Sequence, residues 1–212
     1  MWSLYTLGAT MTPRHAPLLA AVVLACAPRV PTWGEVRPPE AYVETLPTGA
    51  MVHVDGAEVG RTPLSFPVRD ASRPYRVRAT APGFAVLEVD VPGAKLANGR
   101  LDLVLRPDGF GTDRRLDLGD AVGLAQAAAV LAKADRARDA LAFAEASLGV
   151  AENPLAHKVA GEAYRRLGDR NRAAQEYSIY LTMEPDAPDR QAIERLIGAA
   201  RGDLTIPGPK TE

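Results

Sequence analysis

The chain has 212 residues, of which 47% are hydrophobic and 24% charged, a composition typical of globular proteins. The formal net charge of -1 lacks the basic excess of proteins that bind nucleic-acid phosphates, so no nucleic-acid partner is expected. The single cysteine excludes an intramolecular disulfide and a cysteine-based metal cage, and the three histidines lie in separate segments. We therefore expect neither a metal site nor another cofactor.

The N-terminal segment has the layout of a secretory signal. An apolar run of ten residues at 16–25 fits a signal-peptide core and is shorter than the roughly 20 residues of a membrane span. The run ends in Ala25-Cys26, which resembles the lipobox of bacterial lipoproteins. The resemblance implies removal of residues 1–25 and lipidation of Cys26, and Met11 alone would also begin an adequate signal. The alternative is a plain secretory signal in which the cysteine is incidental.

Residues 26–40 are rich in proline and lack apolar periodicity, which is typical of a semi-extended tether. With the lipobox resemblance, this segment implies a protein held in the cell envelope by a lipid anchor. The residue after Cys26 is alanine and not the aspartate that retains some lipoproteins in the inner membrane. This favours the outer membrane, with the folded body facing the periplasm.

Residues 41–106 alternate apolar and polar side chains, which predicts half-buried β-strands. Asp55-Gly56 predicts a two-residue type I′ hairpin, because that turn requires positive φ at both positions. We expect a small antiparallel β-sandwich. The alternation is clearest in four runs, at 51–54, 75–79, 87–91 and 101–105.

Several short motifs in this region occur in the order of a known family. They are Pro47-Thr48-Gly49-Ala50, Val59-Gly60, Thr62-Pro63-Leu64 and Ala81-Pro82-Gly83-Phe84. The region resembles a PEGA domain, with Thr48 in place of the glutamate of the tetrapeptide that names the family. The resemblance implies a surface or envelope module for binding or spacing, and it carries no catalytic residues.

A basic stripe of Arg73, Arg76 and Arg78 lies in the same region, the last two pointing the same way on one strand. An anion-binding face for acidic glycans or lipid headgroups is one interpretation. A solvated sheet face is the other, and the acids nearby nearly balance these bases.

A polar linker at 107–115 is expected to join two independently folding units. After it, apolar residues recur at helical spacing over residues 116–203. Gly168 is placed to end one helix and Pro188 to begin another. Residues 204–212 are expected to form a disordered tail. The predicted helices span 116–132, 136–150, 155–167, 171–183 and 189–201.

Residues 154–187 contain, at characteristic spacing, Gly161, Tyr164, Gly168-Asp169, Ala173, Tyr177 and Pro185. With this spacing the segment resembles a 34-residue tetratricopeptide repeat, with His157 where that family prefers tryptophan. Glycine inside a helix costs about 1 kcal/mol relative to alanine, so Gly161 is expected where a neighbouring helix approaches closely. The earlier helix pair matches more weakly, and we expect two repeats and a capping helix; a generic helical bundle is the alternative. The residues that carry the resemblance and are expected to pack between the helices are Gly161, Tyr164, Ala173 and Tyr177.

The resemblance implies a concave face that binds a peptide or protein, and by position Lys158, Glu162 and Arg165 would line it. We therefore expect a multidomain β-then-α adaptor whose partner is another envelope protein or peptide. The alternative is a module that binds cell-wall glycan through its β domain. No triad, paired carboxylates, phosphate loop or metal-ligand spacing is present in the sequence, so an enzyme is not expected.

Overall fold

The computed structural model describes residues 37–111 and 115–202. Within them, seven β-strands and a single-turn helix come first, and five longer helices follow. The predicted fold class, a β region followed by an α-helical region, is confirmed. The expected signal segment, Cys26 and the tail at 204–212 lie outside the described residues.

A strand at 40–46 precedes the first of the four alternating runs, the one at 51–54. Two further short strands lie between that alternation and residue 70. The strands are β1 Glu40–Leu46, β2 Met51–Val54, β3 Ala57–Arg61, β4 Leu64–Pro67, β5 Pro74–Thr80, β6 Leu87–Pro92 and β7 Arg100–Val104, and the single-turn helix is α1 Gly93–Leu96.

The seven strands form two sheets, in the orders β3-β2-β5-β6 and β4-β1-β7. Every second residue of β1 and β5 is buried, from Ala41 and Tyr75 onward, so these strands contribute alternate side chains to the core. The strand pairs are antiparallel, as expected, apart from β1–β7, which is parallel. The first and last strands therefore run in the same direction, and the chain enters this region at one end and leaves it at the other.

The turn between β2 and β3 has the predicted geometry. Asp55 and Gly56 both have positive φ, 51° and 84°, as a type I′ turn requires. The Asp55 carboxylate accepts a hydrogen bond from the backbone N–H of Arg76 (2.9 Å) and pairs with Arg73 (2.8 Å). These bonds tie the hairpin to the start of β5, and together with the exposed Arg73 guanidinium they lower the pKa of Asp55.

The helical region contains the five predicted helices, with small shifts at their ends. The first begins at Ala121 and not at residue 116, because the Asp120 carboxylate accepts a hydrogen bond from the N–H of Gly123 (2.9 Å) and caps it. The third ends at Gly168, whose φ of 88° is the left-handed conformation expected there. The bounds are α2 Ala121–Lys133, α3 Ala137–Val150, α4 Pro154–Leu167, α5 Arg170–Met183 and α6 Arg190–Arg201.

Each of these helices packs against the next one along the chain, and α2 also packs against α4. Two helical hairpins, α2–α3 and α4–α5, are thus stacked side by side with α6 against the second. The contact between α2 and α4 brings the first helices of the two hairpins onto the same side of the stack.

The two regions share one apolar core. The ring of Phe84 stacks on Phe143 of α3, with centroids 6.0 Å apart and planes 17° apart. Arg136 lies over the Phe84 ring at 4.5 Å and donates a hydrogen bond to the carbonyl of Pro82 (2.7 Å). Gly83 permits this approach, because a Cβ there would lie 2.0 Å from Nη1 of Arg136. Independent folding of the two regions stays a prediction. The contacts of Phe84 with Phe143 and of Arg136 with Pro82 form the junction at which the regions meet.

Candidate functional site

The predicted contact residues Lys158, Glu162 and Arg165 follow one another along α4 at three- and four-residue spacing, so they share one side of the helix. The Lys158 ammonium lies 2.6 Å from the Asp189 carboxylate and 5.5 Å from the ring centroid of Tyr180. The Tyr180 hydroxyl donates to the same carboxylate (2.8 Å), and burial with this negative neighbour raises the pKa of Tyr180 to about 12. Lys158 is therefore bound to the residue that precedes α6.

Glu162 is the centre of a denser network. Its carboxylate accepts two hydrogen bonds from Arg165 (2.7 and 2.9 Å), one from Arg166 (2.7 Å) and one from the Tyr177 hydroxyl (3.0 Å). The bonds from Arg165 are the main reason that the pKa of Glu162 falls to about 2, against the opposing effect of burial. Burial and the Glu162 charge raise the pKa of Tyr177. This network joins α4 to α5.

Gly161 lies against the ring of Tyr177. A Cβ at Gly161 would be 2.7 Å from Cδ1 and 2.8 Å from Cε1 of that ring, distances at which one of the two must move. The glycine and tyrosine are thus neighbours across the α4–α5 contact, and both are buried. The loss of stability expected from a larger residue at Gly161 stays a prediction.

The other two predicted packing residues are also buried, and they lie in different places. The Tyr164 hydroxyl donates to Glu145 of α3 (2.8 Å), and Arg172 of α5 lies 5.0 Å from the Tyr164 ring centroid. Tyr164 therefore contacts both neighbouring helices. Ala173 is 1% exposed and forms part of a cleft wall beside Tyr177.

That cleft, of about 240 Å³, lies between the C-terminal half of α6 and the helices α4 and α5. Five of its seven lining residues are apolar or aromatic, and the other two are arginines. Such a combination suits an apolar side chain flanked by negative charge. The cleft is lined by Arg165, Arg170, Ala173, Tyr177, Leu196, Ala199 and Ala200.

Arg170 was not among the predicted contact residues. Within the described part of the chain, its guanidinium makes no hydrogen bond or ion pair, in contrast to Lys158 and Arg165. It is the first residue of α5 and directly follows the Gly168-Asp169 turn. Only the packing of α6 beside this turn brings Arg170 to the cleft, so spacing within the repeat does not indicate it.

The basic stripe of the β region is mostly paired. Arg73 binds Asp55 of the hairpin (2.8 Å), and Arg76 bridges to Asp90 (3.0 Å) on the adjacent strand. Arg78 makes no ion pair among the described residues, although it lies opposite Glu88 in the sheet register. The interpretation of the stripe as an anion-binding face stays untested.

In residues 37–111 and 115–202, no group of three or more His, Cys, Asp or Glu side chains is placed to hold a metal ion. Over the same ranges, no helix is long and apolar enough to cross a membrane.

A comparison with known families identifies the β region. Residues 39–108 match the model of the PEGA domain, and all seven strands fall within this match. The chain thus carries a PEGA domain that covers about one third of its length, and the stacked helices follow it. No curated protein matches the chain.

Proposed function

We propose that this protein is a non-catalytic, lipid-anchored adaptor of the bacterial envelope, in which the helices bind a partner polypeptide and the PEGA domain acts as a spacer. The observation that carries the proposal is the cleft beside α6, which is lined mainly by apolar residues together with Arg170, whose guanidinium makes no ion pair among the described residues. A partner segment with an apolar side chain next to acidic residues fits this chemistry.

Two features support a tetratricopeptide-like array. The hairpins α2–α3 and α4–α5 stack with their first helices in contact, and the glycine at 161 meets the aromatic ring at 177. Arrays of this kind expose the first helix of each repeat on one side. The predicted contact residues lie on such a helix, and the cleft opens beside it.

The topology of the PEGA domain supports the role of a spacer. Because β1 and β7 run parallel, residue 40 and residue 104 lie at opposite ends of the sandwich. The seven residues of β1 span about 23 Å. A chain anchored before residue 37 would therefore hold its helices a strand length further from the membrane. Lipidation of Cys26 with more than one acyl chain would make such an anchor stable.

The cleft is tested most cleanly at Arg170. Reversal of Lys158 or Arg165 would place a carboxylate against Asp189 or Glu162, so stability and binding would change together. Arg170→Glu disturbs no ion pair among the described residues, and a negative charge in the first turn of α5 is favourable for the helix. Arg138→Glu is the matched control, because Arg138 occupies the first turn of α3 and is exposed.

The experiment places a photo-crosslinking amino acid at Ala199, in the cleft, in cells that produce the full chain. We expect a discrete crosslinked partner that Arg170→Glu reduces at least about tenfold, the effect of roughly 1.4 kcal/mol, while Arg138→Glu leaves it unchanged. An equal loss of the crosslinked partner with both variants, or no loss with either, would contradict the cleft as the binding site. Crosslinks to peptidoglycan instead of protein would favour the glycan-binding alternative. In the same cells a clickable fatty acid should label the wild type and not Cys26→Ser.

A further inference from the structure

His157 is a buried residue of the first turns of α4, and both of its ring nitrogens meet carboxylates. Nε2 lies 2.7 Å from Oε2 of Glu152, which stands in the turn before α4, and Nδ1 lies 2.7 Å from Oε2 of Glu176 on α5. The residue is 5% exposed. A neutral imidazole has one N–H donor, whereas the imidazolium has two. Two carboxylate contacts therefore match the protonated ring.

The other charged groups of the neighbouring helices are engaged elsewhere or distant. On α2, Lys133 is in the last turn, beside the opposite end of α4, where Arg166 binds the carbonyl of Ala132. Asp120, at the start of α2, accepts the hydrogen bond of the Gly123 N–H (2.9 Å). On α3, the last turn carries no charged residue, and Glu145 accepts the hydrogen bond of Tyr164.

On α5, Arg172 pairs with Asp169, and on α4 itself Lys158 pairs with Asp189. Glu184 follows the end of α5, and it lies close enough to Tyr180 to act on that residue's hydroxyl. The protonation of His157 is thus determined mainly by its burial and by the two carboxylates beside its ring. Burial opposes the charge, but hydrogen bonds to Glu152 and Glu176 together raise the pKa of His157 above its ordinary value of 6.5.

We propose that Glu152, His157 and Glu176 form a pH-dependent latch that fastens the α3–α4 turn to α5 while the imidazole is doubly protonated. When the ring loses a proton, one nitrogen becomes an acceptor and repels the carboxylate beside it. Glu152 is the partner that leaves, because its side chain is 74% exposed and reaches water easily, while Glu176 is 22% exposed.

Release of Glu152 acts on the link between the two helical hairpins. Glu152 directly precedes Asn153, whose side chain caps α4 by accepting hydrogen bonds from the N–H groups of Leu155 (2.9 Å) and Ala156 (3.4 Å). Once Glu152 is released, the residue before the Asn153 cap is no longer held to α4 by its contact with His157. The latch thereby makes the attachment of α4 to the preceding turn tighter in mild acid than in base.

The direction of the stability change follows from proton linkage. The folded protein binds the proton more tightly than the unfolded chain, so the latch contributes fully below the unfolded value of about 6.5. Its contribution disappears as the pH rises through the higher pKa of the folded state. A protein whose stability fell as the pH was lowered through this range would show the opposite of the dependence expected from the latch.

The test compares Tm against pH from 5 to 9 for the full chain and three variants. Wild type should lose about 2–4 °C across this range relative to His157→Gln, which lacks the titrating group. His53→Gln is the control, because His53 lies in the β region, and it should keep the wild-type profile. Glu152→Gln should lower Tm at pH 5 and match wild type at pH 9, where the carboxylate is already released.

Two results overturn the latch. One is a wild-type profile parallel to that of His157→Gln over the whole range. The other is a Glu152→Gln protein whose Tm falls equally at both ends, which would make Glu152 a constant structural contact. If His157→Gln fails to fold, Glu152→Gln still decides the question, because its exposed carboxyl can be changed without opening the core.

Discussion

The β region and the helical region hold their charges in different ways. In the β region, Arg76 and Asp90 pair across two strands while both side chains remain about 60% exposed. In the helical region, Glu162 is 26% exposed and its hydrogen-bond partner Tyr177 is 1% exposed. Exposed pairs contribute little to stability, whereas a buried network is costly to leave half satisfied. Similar substitutions should therefore have unequal effects in the two regions.

The regions also differ in what sets the distance between their elements. In the sheets, backbone hydrogen bonds fix the strand separation, so the size of an outward-facing side chain matters little. Between helices, the side chains themselves set the separation, and Gly161 allows the approach of Tyr177. A change of volume at a helix contact is therefore felt directly.

The largest effect is expected at the junction. Phe84→Ala removes a ring that is 6% exposed, stacks on Phe143 and lies under Arg136, and buried Phe→Ala changes cost about 3–5 kcal/mol. Urea denaturation should show this loss, and limited proteolysis should cut faster within the linker at 107–115. Val86→Ala is the control two residues away, because Val86 is 53% exposed.

A different result at Phe84 would change the view of the two regions. If Phe84→Ala melts in two separate transitions, with one at the wild-type temperature, the regions fold independently as the composition of the linker suggests. If unfolding and linker cleavage are both unchanged, the ring stack contributes nothing and the regions are joined by the linker alone.

An intermediate effect is expected inside the helical region. Gly161→Leu places a branched side chain against the Tyr177 ring, and overpacking typically costs about 1–3 kcal/mol. Gly149→Ala is the matched control in α3, where a Cβ meets nothing within 4 Å, and it should leave stability unchanged or raise it. Thermal denaturation followed by circular dichroism measures both. A normal Tm for Gly161→Leu would contradict the repeat assignment.

The sequence predicted the fold best where one periodicity dominates. The helices and the strands β2, β5, β6 and β7 were found because their apolar residues recur at regular spacing. Strand β3 shows no alternation of its own, because none of its five residues is buried, and only the Asp55-Gly56 hairpin signal before it indicates a strand there. Strand β1 alternates through Ala41, Val43 and Thr45, but two of these are small or polar and give a weak signal.

For the site, the sequence predicted positions but not partners. Repeat spacing gave Gly161 and Tyr177, which the structure brings together, because the spacing within a helical hairpin fixes such contacts. It did not indicate Arg170 or the two carboxylates around His157. Those depend on how side chains from separate elements converge, and Glu176 lies nineteen residues from the histidine.

The smallest effects come from one substitution made in each region, Arg166→Gln and Arg76→Gln. Arg166 donates to the carbonyl of Ala132 in the last turn of α2 (2.6 Å) and to Glu162 (2.7 Å), and it is 30% exposed. Its loss should cost about 1 kcal/mol, because a partly buried carboxylate and a helix end lose a donor.

Arg76 is 62% exposed and its acidic partners lie in water, so Arg76→Gln should leave the urea midpoint within the error of the measurement. Salt provides the internal control. Raising NaCl to about 1 M shortens the screening length to roughly 3 Å, and it should hardly change the cost of Arg166→Gln. Equal costs for the two variants at low salt, both removed by salt, would show that the Glu162 network is as solvated as the sheet surface. The contrast between the regions would then rest on packing at Gly161 and Phe84, and not on charge.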